Sequence, residues 1–199
     1  MKKLIFFSVL ICFVSCTKNP FKETVLNSIK KDAMGIDLKP KFITFEVLDT
    51  VYNKELVDDW YLMNSDMSPK KDSIKIKLAE FAKNCKFLTN HFEYTGHDSK
   101  YYADYVIIAN YKLDRIKQLE TRKSTNIEYY VIKTEYKIIN PIINNAEVTV
   151  SEIILISDKL EVIIKKNADD FAKVAEKCKQ TPYLKYEALI LSEKTGLQL

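Results

Sequence analysis

Six residues, Ile74, Leu78, Phe81, Cys85, Leu88 and Phe92, recur at steps of 4, 3, 4, 3 and 4. That spacing holds apolar side chains on one face of a helix. Ser68 supplies an N-cap and Pro69 a favourable first helical residue, so a long amphipathic helix is predicted from Pro69 to about Phe92. A helix with one apolar stripe has to bury it against something. The stripe runs for too few heptads to require a coiled coil, and packing across a sheet made by the same chain is the expected use.

The chain also carries segments suited to such a sheet. From Phe42 to Tyr52, Ile43, Phe45, Val47 and Val51 share one face at period two. Tyr101 to Leu113, Asn126 to Ile139, Ala146 to Ile156 and Leu160 to Lys165 are rich in Ile, Val, Tyr and Thr, which favours strands. Short turns at Asn140 to Asn145 and at Ser157-Asp158-Lys159 require the last three to run antiparallel. In the Ala146 segment, Ala146, Val148, Val150 and Ile154 alternate with Glu147, Thr149 and Ser151, so one sheet face should pack on helices and the other be partly wet. Arg115 to Thr125, dense in charge, reads as a loop. Further helices are predicted over Phe21–Met34, Lys54–Asn64, Ala168–Lys179 and Pro182–Lys194. Gly35, Gly96 and Gly196 stand where three of the helices should stop. The expected fold class is α+β: an antiparallel sheet of four to five strands packed against the long helix, with N- and C-terminal helices.

The first sixteen residues follow another plan. Lys2-Lys3 precedes an apolar run from Leu4 to Val14, and Phe13-Val14-Ser15-Cys16 closes it. A basic start, a short apolar stretch and a small residue are the layout of a signal peptide. The run is too short to span a bilayer, which takes about 20 apolar residues. With Cys16 at its end the segment resembles the signal peptide of bacterial lipoproteins, although Phe13 replaces the usual Leu. The resemblance implies cleavage before Cys16, attachment of a diacylglycerol to its thiol, and anchorage to the membrane through two or three acyl chains. Thr17 stands where some lipoproteins carry an inner-membrane retention Asp, so the outer membrane is the expected address. Residues 1–15 would then be the signal peptide, 16–20 a tether, and 21–199 a single α+β domain.

Processing simplifies the remaining accounting. Loss of Lys2 and Lys3 lowers the formal charge from +4 to +2, 29 basic groups against 27 acidic. That balance makes no case for a nucleic-acid partner. Cys12 leaves with the signal peptide and Cys16 takes lipid, so Cys85 and Cys178 are the remaining thiols. They permit a disulfide worth on the order of 4 kcal/mol, but both fall on apolar sides of predicted helices, where cysteine serves as a small buried hydrophobe. Free thiols are the preferred reading.

The chemistry available for catalysis is sparse. With only three glycines, each assigned to a helix end, neither a dinucleotide-binding turn nor a phosphate loop can be built, and no cofactor is expected. The two histidines, His91 and His97, lie near Glu93 and Asp98. These four are weak metal-ligand candidates, because their spacing matches no zinc motif and Gly96 should break the helix between them. Helix-end residues balanced against the dipole are the simpler reading, as they are for Asp169-Asp170 at the start of a helix. Tyr101, Tyr102, Tyr129 and Tyr130, interleaved with Lys100, Arg122 and Lys123, are candidates for a partner-binding surface, although tyrosine also pairs well across half-buried strands. The leading functional expectation is a non-enzymatic envelope protein that binds a protein or glycan. The alternatives are an envelope hydrolase using His91 and His97, and an inhibitor or immunity-type lipoprotein with one protein partner.

Overall fold

A computed structural model describes residues 19–197 apart from 67, 69, 93–98, 142 and 179–180. The chain is α+β, as expected, and the described residues form six helices and a four-stranded antiparallel sheet. The elements in order are α1 (Pro20–Asp32), β1 (Lys41–Tyr52), α2 (Asn53–Met63), α3 (Lys71–Phe92), α4 (Ser99–Glu120), β2 (Ile127–Asn140), β3 (Ala146–Ile156), β4 (Val162–Asn167), α5 (Ala168–Lys177) and α6 (Leu184–Thr195). Neighbours in the sheet follow the order β1-β2-β3-β4.

Local chemistry accounts for most of the boundaries. Asn19 caps α1, its Oδ1 accepting from the N–H groups of Phe21 and Lys22 at 3.0 and 3.3 Å, with Pro20 in the first turn. Glu55 reaches back from α2 to accept from the Tyr52 N–H at 2.9 Å, which lets the helix begin directly where β1 ends. Asn167 caps α5 through the Asp169 N–H at 2.9 Å, and Asp169 and Asp170 occupy its first turn, where negative charge is favoured. Gly196 ends α6 at φ 70°, a left-handed conformation that glycine adopts without penalty.

Pairing registers divide the sheet into two faces. Tyr136 and Ile132 of β2 lie opposite Val150 and Ile154 of β3, and with Ile156 they pack beneath Val25 and Ile29 of α1. Tyr129, Val131, Ile153, Leu155 and Ile164 point the other way, into a larger core shared with Leu56 and Trp60 of α2, Ile74 and Leu78 of α3, Leu113, Ile116 and Leu119 of α4, and Leu184 and Leu189 of α6. Helices therefore cover both faces. Water reaches the far half of the second face, where Lys133, Glu147 and Thr149 are exposed and Lys137 pairs with Glu147 at 2.5 Å, and also reaches Val47 and Val148 on the first face.

One expected strand is a helix. Tyr101 to Leu113, together with the first half of the segment read as a loop, forms α4, and β1, not this segment, lies beside β2. Its Tyr, Val and Ile content favours a strand, but Ala109, Leu113, Ile116 and Leu119 are all buried at steps of 4, 3 and 3, and that helical stripe prevails over β-propensity. α4 packs along α3. Ala82 and Cys85 of α3 and Ala109 of α4 are buried yet belong to neither core cluster, so the far part of this helical hairpin is sealed by its own two helices.

Proline at Asn110, an exposed position inside α4, should lower the unfolding free energy by about 3 kcal/mol or more. Asn110→Ala should change it by less than about 0.5 kcal/mol. Chemical denaturation of both variants distinguishes this helix from an edge strand, which would tolerate the proline.

Candidate functional site

The C-terminal half of α4 carries Tyr111, Arg115 and Gln118 on one side, spaced at 4 and 3, and Arg122 follows just beyond the helix end. Glu187 enters from α6, flanked at i−3 and i+4 by the buried Leu184 and Leu191. Glu128 and Tyr129 come from the start of β2, and Asn53 from the first turn of α2. These side chains meet beneath a cleft of about 510 Å³ bordered by Asp158 and Lys159 of the β3–β4 turn.

At the centre is a carboxylate locked by an arginine. Arg115 Nε donates to Glu187 Oε2 and Nη2 to Glu187 Oε1, both at 2.9 Å, the two-pronged geometry in which guanidinium and carboxylate match best. Tyr111 donates to Oε2 at 3.1 Å and Tyr129 to Oε1 at 3.3 Å. Arg115 Nη2 also reaches Glu128 Oε2 at 3.2 Å, an oxygen that Arg122 Nη1 approaches at 2.6 Å. Asn53 Nδ2 donates to Glu128 Oε1 at 3.4 Å and to the Leu119 carbonyl at 2.8 Å.

Burial disfavours the charge on Arg115, but Glu187 and then Glu128 outweigh it and hold the guanidinium protonated. Burial, reinforced by the Glu187 charge, pushes the Tyr111 and Tyr129 phenols above their ordinary range, so both act as donors. With four donors on two oxygens Glu187 has its acceptor sites filled. A general base needs a free lone pair facing its substrate, and this carboxylate offers none. The arrangement ties α2, α4, α6 and β2 together and leaves a cleft whose rim mixes both signs of charge.

Of the described residues singled out in the sequence, Tyr129 and Arg122 reach this site. Phe13 to Cys16, Glu93, His97, Asp98 and the side chain of His91 lie outside the described residues. Among the described residues no group of three His, Cys, Asp or Glu side chains is placed to hold a metal ion, and no helix is long and apolar enough to cross a membrane. Cys85 is buried in α3, Cys178 sits at the C-terminal cap of α5, and the two are free thiols, held apart by their different elements. Burial pushes both thiols up in pKa, away from nucleophilic character.

The tyrosine group divides. Tyr129 is 1% exposed and belongs to the core, which leaves it no surface to present, while Tyr130 is half-buried and packs on Phe21 with ring centroids 4.8 Å apart. Tyr101 and Tyr102 stand at the opposite end of α4, where the Tyr101 ring lies 4.6 Å from Tyr105 and their hydroxyls bond at 3.0 Å. Phe81 of α3 meets Tyr105 edge-on at 5.8 Å. Asp59, of the Asp58-Asp59 pair, is buried and accepts from the Tyr183 and Leu184 N–H groups at 2.7 and 3.3 Å, thereby capping α6 from another element.

Sequence reasoning missed Glu187, Glu128, Arg115 and Tyr111. One signal was available: the 31 basic residues include only two arginines, Arg115 and Arg122, seven positions apart, which is two turns of a helix. Arginine is the residue suited to buried ion pairs.

A second junction titrates. Burial opposes ionisation of Glu120, but hydrogen bonds from Lys75, at 2.8 and 3.2 Å, and from Tyr61 outweigh it and hold the carboxyl below 4.5. Its contribution is therefore present at neutral pH and disappears as the pH falls from about 4.5 through the lower folded value. Glu120→Gln should cost about 1 kcal/mol at pH 7, as partly exposed charged hydrogen bonds do, and progressively less as the pH is lowered below 4.5, measured by denaturant unfolding at each pH. No protein-family model matches the chain, and no curated protein or solved structure shows a significant match, which leaves geometry to carry the functional reading.

Proposed function

We propose that this chain is a non-catalytic binding protein of the bacterial envelope, anchored by a lipid on Cys16 and contacting a partner protein through the aromatic end of the α3–α4 hairpin. The observation that carries the reading is exposure of large aromatic side chains at that end: Phe87 is 68% exposed, Tyr101 57% and Phe81 37%. Lys83, Lys86 and Lys100 of the same two helices are exposed as well. Aromatic centres with a polar rim are the composition of protein contact surfaces. The Tyr101 ring packs edge-on against Tyr102 and Tyr105 at interplanar angles of 79° and 70°, a clustered arrangement that favours a protein over the open flat platform on which a sugar stacks. The acyl chains on Cys16, the first residue after cleavage of the apolar segment, supply the membrane attachment, with the outer membrane as its address.

Both halves of the proposal meet in one experiment. Wild type, Cys16→Ala and the double variant F87A/Y101A are expressed with an acyl label, fractionated, and crosslinked in intact cells through a photoreactive residue at Lys86. Wild type and F87A/Y101A should take up lipid and sediment with membranes, whereas Cys16→Ala should do neither. One crosslinked protein should be recovered from wild type and reduced about 30-fold in F87A/Y101A, the loss typical of an aromatic hot spot. An unlabelled, soluble wild type, a crosslink unaffected by the aromatic substitutions, or crosslinks to glycan alone would contradict the reading.

A further inference from the structure

Chain length limits how far the domain can stand from a lipid on Cys16, the attachment proposed above. Three peptide units join Cys16 to Asn19, a reach of at most about 11 Å when fully extended. At Asn19 the chain is already fixed, because its side chain caps α1. The start of α1 is in turn fixed on the sheet. Phe21 packs on Tyr130 with ring centroids 4.8 Å apart, and the Lys22 ammonium lies 5.5 Å from the Phe45 ring centroid. In β1, Thr50 stands opposite Tyr130 and Val47 opposite Ile132, which packs with Val25 of α1. The stretch of β1 from Phe45 to Thr50 therefore runs beside the first turns of α1, close to the point of attachment.

This stretch belongs to an edge of the sheet, since among the described strands β1 neighbours only β2, and it is apolar where it meets water. Val47 is 43% exposed, Leu48 44% and Ile43, farther along the strand, 50%. An exposed apolar edge commonly invites another strand. β1 is a poor template for one: its register with β2 skips Ile43 and Leu48, and irregularities of this kind interrupt the row of backbone groups that an added strand would need. The two skipped residues are themselves apolar and exposed. A bilayer demands no register from the protein. Nor is the edge suited to a mainly ionic contact, because exposed Glu23 and Glu46 accompany Lys22.

We propose that the β1 edge is a second membrane contact, in which Ile43, Val47 and Leu48 enter the interfacial layer of the bilayer that holds the Cys16 lipid. The contact depends on that lipid. Once acyl chains hold the protein at the surface, the second contact forms within one assembly and no longer bears the cost of bringing two bodies together, so the gain from taking a few apolar side chains out of water is enough to orient the domain. Lys22, held beside Phe45, keeps its ammonium among the headgroups. The β4 edge, at the other side of the sheet, then stands away from the lipid.

Depth-dependent quenching tests the contact. Protein is extracted from membranes of cells fed an acyl label, in a Cys178→Ser background that removes the half-buried thiol and leaves Cys85 buried. An environment-sensitive fluorophore is attached at Leu48→Cys or, as the control, at Lys159→Cys in the exposed turn before β4, and the protein is reconstituted in phosphatidylcholine vesicles containing nitroxide-labelled lipid. The probe at 48 should be quenched and its emission shifted to the blue, and the probe at 159 should show neither change. The quenching should persist in about 1 M salt, where charge interactions are screened within about 3 Å, and should be lost in I43D/V47D, whose substitutions fall at exposed positions. The acyl label reports the anchor independently. An unlabelled Cys16 would overturn the anchor and this contact together. A labelled Cys16 with equal quenching at 48 and 159, quenching lost in salt, or quenching unchanged in I43D/V47D would overturn the contact alone, and disulfide-linked dimers of Leu48→Cys left without fluorophore would overturn it in favour of a second copy of the chain.

Discussion

A buried carboxylate sets the terms of this structure. Glu187 is 1% exposed, and taking such a group out of water is tolerable only when nearly every acceptor site meets a donor. Its donors are three residues from two elements: Arg115 and Tyr111 from α4, and Tyr129 from β2. Tyr111 and Arg115 reach one carboxylate only if α4 is helical there, since i and i+4 stand about 6 Å apart on one face of a helix but about 13 Å apart along a strand. Tyr129 reaches it only if β2 presents that side chain to the larger core, and a one-residue slip would turn it away. The same constraint places Glu128 beside Arg115 and Arg122 and draws in Asn53 at the start of α2. Much of the arrangement on this side of the sheet follows from satisfying one charge.

Local signals made other parts of the chain readable in advance. The helix of α1 was visible in the spacing of Val25 and Ile29, the β2–β3 and β3–β4 turns in their punctuation, and α3 in its stripe. Those features arise from neighbours in sequence. α4 was hidden because Tyr101, Tyr102, Tyr105, Val106, Ile107 and Ile108 have the composition of a strand, and the stripe that makes the segment helical continues through Ile116 and Leu119, in a stretch whose charges suggested a loop. Its helicity rests on a long-range condition, the match of that stripe to α3 and the sheet. Glu187 was hidden for a related reason: a glutamate inside an apolar stripe has no local meaning until Arg115, 72 residues away, is placed beside it. The double tyrosines mark the limit of composition most plainly, since Tyr101 is exposed while Tyr129 is buried.

The two ends of α4 are built for different purposes. Near Arg115 the polar groups saturate one another, which confers rigidity and removes the free lone pairs that acid–base chemistry would use. Near Tyr101 the aromatic rings are exposed and lie outside both core clusters. A rigid base carrying an exposed aromatic end suits recognition better than turnover, and the lipid proposed on Cys16 would keep that surface close to a membrane.

The central claim is that the Arg115–Glu187 pair, and not apolar packing alone, holds α4 to α6 and the sheet. A double-mutant cycle with Arg115→Met and Glu187→Leu, read by denaturant unfolding, tests it most directly. Each single substitution leaves an uncompensated buried charge or a set of stranded donors and should cost about 3–5 kcal/mol, while the double variant, which removes both charges, should recover a large part of that loss. Single-variant costs below about 0.5 kcal/mol, or costs that simply add in the double variant, would contradict the account.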